Sequence, residues 1–155
     1  MEDVTLREQI NRYYQLWCDA TQLYENWAKQ RGITYNTLLT LCTLISNQEH
    51  CTQKMICEQW GLPKQTVNSI LKDFERKRYV TFANMQSDKR NKLILLTESG
   101  REYANETSSA LYEMDVYAVG KMGSARMKDL NDNLTLYMEY FREAEQNNND
   151  AQSPS

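Results

Sequence analysis

Prolines and glycines are scarce in this chain, two and five among 155 residues. A sandwich or barrel needs more turns than so few breakers supply, so the composition favours helix. There is one histidine, His50, with no nucleophile or carboxylate set beside it in the sequence. No Gly-rich phosphate loop is present, and the two absences together argue against an enzyme. No apolar run reaches the roughly 18 residues of a membrane span. The opening Met1-Glu2-Asp3-Val4-Thr5 is acidic and polar and starts no signal peptide. The expected location is therefore cytoplasmic, with no membrane partner. Cys18, Cys42, Cys51 and Cys57 form no C-x-x-C pair, and a reducing compartment argues against disulfides. His50, Cys51 and Cys57 match no zinc pattern, so neither a metal nor a cofactor is expected. No internal repeat occurs.

What is present is 41% apolar residues, enough for a sizeable core, and an uneven charge. The net charge of −3 hides a basic middle. Residues 51–96 hold nine Lys/Arg against four Asp/Glu, a net of +5, and the remainder holds nine against seventeen, a net of −8. A basic centre between acidic flanks points to a polyanion.

Periodicity orders the chain. Leu6, Ile10, Tyr13, Trp17, Ala20, Tyr24 and Trp27 step alternately by four and three, which predicts a helix over 6–28 with one narrow apolar seam, as in helices that pair. Gly32 ends it. A second helix over 35–47 is apolar on most sides and should be central. Thr52 is expected to cap a short helix over 52–60. Gly61-Leu62 makes a turn, and Pro63 opens the next helix, which runs to Arg78. Tyr79–Phe82 and Leu93–Leu96 read as two strands around a polar, basic loop, with Asn91 as the turn residue of positive φ. Thr97 caps a helix to about Gly120, and a last helix covers 126–143. Residues 146–155 lack apolar side chains and are expected to be disordered.

The helix from Pro63 has two faces. Val67, Ile70, Leu71 and Phe74 recur at i, i+3, i+4 and i+7 and face the core. Gln65, Asn68, Ser69, Lys72 and Arg76 lie opposite. Gln and Asn pair with adenine edges and Ser with either kind of base pair, while Lys64, Lys72 and Arg76 suit phosphates. Glu/Lys pairs would be commoner on an ordinary solvated face. The loop Asp88-Lys89-Arg90-Asn91-Lys92 adds cations suited to a minor groove, with Asp88 placed to hold the Arg90 guanidinium.

In this order, helix, turn, helix and basic hairpin resemble the MarR family of winged-helix regulators (multiple antibiotic resistance regulators). The similarity runs from about Thr34 to Gly100 and rests on T-Q-K-M-I-C-E-Q-W-G-L-P-K-Q-T-V-N-S-I-L-K-D-F-E-R-K-R-Y-V and D-K-R-N-K-L-I-L-L-T-E-S-G. The second segment carries the wing pattern of Asp88 and Arg90, an apolar strand, Leu96-Thr97 and Gly100. The resemblance implies a mainly α fold with a small β-hairpin wing. Residues 34–97 would form the winged helix-turn-helix, flanked by dimerisation helices in 1–33 and 98–145. It implies a homodimer through the seams of Leu6, Ile10 and Tyr13 and of Leu130, Leu134, Tyr137 and Phe141. Gln65, Thr66, Asn68 and Ser69 would approach bases, with Arg90 in the minor groove. It further implies a pocket for a small aromatic or amphipathic effector, for which Trp17, Tyr24 and Tyr35 are the candidates. The family's usual glycine before the first strand is Arg78 here, which costs on the order of 1 kcal/mol if left-handed, and the wing lacks a tip glycine.

The expected function is a dimeric, sequence-specific repressor on a pseudo-palindromic duplex site, released by an effector. Two other readings share the scaffold. One is a thiol- or metal-responsive sensor, for which Cys18 lies among tyrosines but reads as inert and partly buried. The other is a winged-helix module that binds protein.

Overall fold

Residues 2–84 and 92–152 are described by the computed structural model, with side chains over 4–84 and 92–148. Among them run α1 (Glu2–Gln30), α2 (Tyr35–Ser46), α3 (Gln53–Trp60), α4 (Lys64–Arg76), β1 (Val80–Asn84), β2 (Lys92–Leu96), α5 (Glu98–Met122) and α6 (Ser124–Gln152). This is the mainly α order with one hairpin that the sequence predicts. The chain divides into two compact units, Met1–Ser108 and Ser109–Ser155.

The first unit is built around α2, whose Leu38, Leu39, Leu41 and Leu44 are all buried. Thr34 caps α2 by accepting from the Thr37 amide at 3.1 Å, and Thr52 caps α3 by accepting from Met55 at 3.2 Å. Leu41, Leu44, Ile56, Val67, Leu71, Phe74, Val80 and Ile94 make one core cluster. Each such side chain contributes roughly 1.5–3 kcal/mol by leaving water. Trp60 of α3 donates its indole N–H to Thr43 Oγ1 at 2.7 Å, and Thr43 donates on to Leu39 O, so a polar link between α2 and α3 is satisfied.

Strands β1 and β2 pair antiparallel with Val80 opposite Leu96 and Asn84 opposite Lys92. A third short stretch joins them. Thr52 bridges Leu93, and Ile94 N–H donates to Cys51 O at 2.8 Å. The hairpin is thereby fastened to the start of α3.

The exit from α4 decides where the hairpin begins. Arg78 N–H donates to Glu75 O and Tyr79 N–H to Phe74 O, the two bonds of a Schellman cap. Arg78 takes the left-handed position at φ 61, the one non-glycine with positive φ among the described residues. The same bond pattern closes α1 with Gly32 in that position. Phe74 and Tyr79 meet edge to face at 6.2 Å, the apolar contact that accompanies such a cap.

Several boundaries differ from those expected. Helix α1 starts at Glu2. Pro63 is the N-cap of α4 rather than its first helical residue, with φ −60 and ψ 138; the fixed proline φ suits both places, and the extended ψ decides between them. Helix α6 begins at Ser124 and continues to Gln152, so residues 146–152 of the expected disordered tail are helical. Missing apolar side chains remove a reason to pack, but an established helix still propagates one hydrogen bond per residue. Residues 153–155 lie outside the described residues.

The second unit consists of the later part of α5 and α6, joined at Gly123 with φ 96. Between 109 and 148 no described side chain is buried.

Candidate nucleic-acid interface

Helix α4 divides as its pattern requires. Val67, Leu71 and Phe74 are buried, and Ile70 packs against the same core half-buried. Lys64, Gln65, Ser69, Lys72 and Arg76 are exposed, with Thr66 and Asn68 half-exposed. Gln53 Nε2 donates to Lys64 O at 2.9 Å. That bond holds the N-terminal turn of α4 against α3, the turn that enters a groove in helix-turn-helix docking.

The exposed residues of α4 fall on two flanks. On one, Lys64, Asn68 and Lys72 border a groove of about 610 Å³ shared with α3 and the hairpin. Lys54 and Lys92 stand on its other sides, and Phe82 and Ile94 line it from the strands. On the other flank, Gln65, Thr66 and Ser69 border an open groove of about 710 Å³ with Thr34, Asn36 and Thr37 at the start of α2. The four lysines of the first groove are accompanied by Glu58, which Lys54 meets at 3.6 Å, and by Glu75.

Arg76 does not stand free. Its guanidinium pairs with Asp73, and Lys77 reaches the other oxygen of the same carboxylate at 2.8 Å. The Lys77 ammonium and the Arg76 guanidinium hold the Asp73 carboxyl below the usual carboxylate range, and Asp73 in turn raises Lys77. Asp88, Lys89, Arg90 and Asn91 lie outside the described residues.

The other candidate groups are dispersed. Tyr24 and Tyr35 stack at 6.4 Å, and burial, then the charges of Glu25 and Cys42, raise the Tyr35 hydroxyl. Trp17 does not join them; it is 60% exposed and meets Tyr13 at 6.4 Å. Trp27 is buried with no hydrogen-bond partner for its indole N–H among the described residues, and the Arg31 guanidinium lies over its ring at 3.7 Å. Cys18, expected to be partly buried, is exposed. Burial pushes the Cys51 thiol up to about 11, away from the thiolate a reactive cysteine needs. Among the described residues no group of three or more His, Cys, Asp or Glu gathers closely enough for a metal ion. None of their helices is long and apolar enough to cross a membrane.

A family model described as the MarR family matches residues 31–91, the span that folds into α2, α3, α4 and the first strand. Across this span the chain resembles the MarR family. The HTH-type transcriptional regulator SarZ of Staphylococcus epidermidis is 33% identical over 85 residues, which are 55% of this chain and 57% of SarZ. The chain thus spans little more than half the length of the curated relatives it matches. Among solved structures, NMB1585, a MarR family regulator from Neisseria meningitidis, is 28% identical with a TM-score of 0.73, over 91% of this chain and 96% of that one. The MepR–DNA complex of Staphylococcus aureus shares the fold at 23% identity and a TM-score of 0.65, over 84% and 96% of the two chains. These MarR relatives are transcriptional regulators, not enzymes.

Within this MarR frame the sequence reading missed Gln53, Lys54 and Asp73. Gln53 and Lys54 reach α4 only because α3 folds back on it, which no local pattern encodes. Asp73 was legible, since it precedes Arg76 and Lys77 by three and four residues, the spacing at which helical charges meet.

Proposed function

We propose that the chain is a homodimeric transcriptional regulator that binds duplex DNA sequence-specifically through α4 and acts as a repressor. The observation that carries this reading is the exposed surface of α4. Amide and hydroxyl side chains, Gln65, Asn68 and Ser69, occupy the same short helix as Lys64 and Lys72. That combination can hydrogen-bond base edges while meeting phosphates. The MepR structure that shares this fold is a complex with DNA, which supports the same use here. Lys92 lies at the near end of the hairpin, and Asp88, Lys89 and Arg90 continue the basic segment in sequence.

Dimerisation answers a deficit of burial. The second unit exposes Leu130, Tyr137 and Phe141 of α6 together with Tyr112, Met114 and Tyr117 of α5, and α1 exposes Leu6, Ile10 and Leu16. Long helices hold together through tertiary packing more than propensity, and apolar surface on this scale marks an interface. A second copy supplies the missing cover. A two-fold dimer presents two α4 helices and calls for a pseudo-palindromic site with half-sites one helical turn apart. A small aromatic or amphipathic effector bound near Tyr24 and Tyr35 would release the DNA by altering the spacing of the two reading units.

The test is fluorescence anisotropy with duplex from the upstream region of the chain's own gene, across a salt series, for the parent and for Asn68→Ala and Lys72→Ala. Asn68→Ala should lower affinity for the cognate duplex by about 1–3 kcal/mol and spare mixed-sequence duplex. Lys72→Ala should weaken both alike and reduce the salt slope by about one. Equal, weak, salt-insensitive binding by all three proteins would leave the protein-binding module as the better reading.

A further inference from the structure

We infer that Asp73 sets how much of this chain's DNA affinity is independent of sequence, by holding Arg76 and Lys77 back from the phosphates. The inference rests on the DNA-binding reading and adds a residue that limits it. One carboxylate engages two cations at once, Arg76 through one oxygen and Lys77 at 2.8 Å through the other. It also borders the groove that Gln65, Thr66 and Ser69 share. The negative charge therefore sits on the flank that carries side chains suited to bases, at the end of the helix where cations collect.

The energetics make this a restraint and not a block. Arg76 and Lys77 are 78% and 50% exposed, and ion pairs so open to water are weak and screened by salt. Both cations can exchange Asp73 for a phosphate when DNA arrives. Each exchange gives up a pair with Asp73, and that loss offsets part of what the phosphate contact gains. On mixed-sequence DNA the phosphate contribution is essentially the whole affinity, so the loss falls fully there. On a cognate site, hydrogen bonds from Gln65, Asn68 and Ser69 to bases add a part that Asp73 does not touch. Asp73 thereby keeps the protein from being retained on non-cognate DNA.

The experiment compares the parent with Asp73→Asn on mixed-sequence duplex, by anisotropy across a salt series. Asn is close to Asp in shape and helix propensity, and unfolding curves of both proteins check that the fold is kept. The variant should bind mixed-sequence duplex roughly three- to tenfold more tightly at moderate salt, with a log–log slope steeper by about one to two. In a background carrying Arg76→Ala and Lys77→Ala, the same substitution should change affinity less than twofold. Unchanged affinity and slope in the folded Asp73→Asn protein would overturn the inference while leaving DNA binding in place. So would an equal gain in the doubly substituted background, because the effect would then not pass through these two cations. Absence of binding by both proteins at the lowest salt would overturn the DNA-binding reading and this inference with it.

Discussion

The carbonyl oxygen of Tyr79 occupies the space beside Gly100 so closely that a Cβ on Gly100 would lie 1.9 Å from it. The same carbonyl accepts from the Thr97 amide at 3.0 Å, and the Thr97 hydroxyl donates to Arg78 O at 2.6 Å and accepts from the Gly100 amide at 3.0 Å. The start of α5 thus clasps the exit from α4. Gly100→Ala forces backbone apart, not the end of a flexible side chain, and should destabilise the fold by about 3 kcal/mol or more in urea unfolding. Gly120→Ala is the contrast. Nothing lies within 4 Å of a Cβ there, and the helix should gain about 0.5–1 kcal/mol. A Gly100→Ala protein as stable as its parent would mean that the α5 start moves freely against Tyr79.

Arg78 is the other half of that clasp. Its φ of 61 is a conformation that L side chains avoid at a cost of about 1 kcal/mol, and its carbonyl is held by Thr97 and by Ser99 at 3.3 Å. Arg78→Gly should therefore raise the urea midpoint, by about 0.5–1 kcal/mol after the extra entropy of glycine in the unfolded chain is set against the relieved strain. A lowered midpoint would show that Arg78 makes contacts that outweigh the strain.

How far the sequence reveals this arrangement depends on how local each cause is. The faces of α4 followed from the spacing of Val67, Leu71 and Phe74, and Thr52 and Gly61 marked helix ends by chemistry that acts within a few residues. The left-handed exit was legible as a conflict, Arg78 standing where the family resemblance leads one to expect glycine. The clasp of Thr97 and Gly100 on Tyr79 was not, because it joins segments about twenty residues apart and depends on how the hairpin turns back. The same holds for Gln53 and Lys64. For Cys18, aromatic neighbours in sequence suggested partial burial. Along the part of α1 where Ile10, Tyr14, Leu16 and Trp17 are themselves exposed, those neighbours leave it exposed.

The cysteines should separate cleanly by reactivity. Cys51 is fully buried and its thiol is raised to about 11 from 9.0, whereas Cys18 is exposed. Under native conditions near neutral pH, a thiol reagent should label Cys18 first and reach Cys51 only on unfolding. The raised thiol also has a stability consequence. Below pH 9 folded and unfolded thiols are both protonated and the burial is fully effective. Between 9 and about 11 the unfolded chain loses its proton first, so this contribution falls as pH rises. Cys51→Ala should flatten that alkaline loss. Labelling of Cys51 at the rate of Cys18 in the folded protein would contradict its burial.

The apolar surface of α6 makes the last prediction. Leu130 is 51% exposed and Phe141 61%, one helical face apart by eleven residues, the spacing of three turns. Neither side chain has a core to join, since no described side chain from 109 to 148 is buried. If a second copy covers them, light scattering at micromolar concentration should give twice the chain mass of 18.3 kDa. Leu130→Asp with Phe141→Asp should shift the protein to a monomer that binds the duplex carrying both half-sites far more weakly, because the second α4 no longer adds its contacts, while its affinity for a duplex with one half-site changes little. Circular dichroism decides what the loss means. A monomer that keeps the signal of α2, α3 and α4 places the effect at the interface, while a parent protein that is already monomeric would remove the two-fold site from the proposed mechanism.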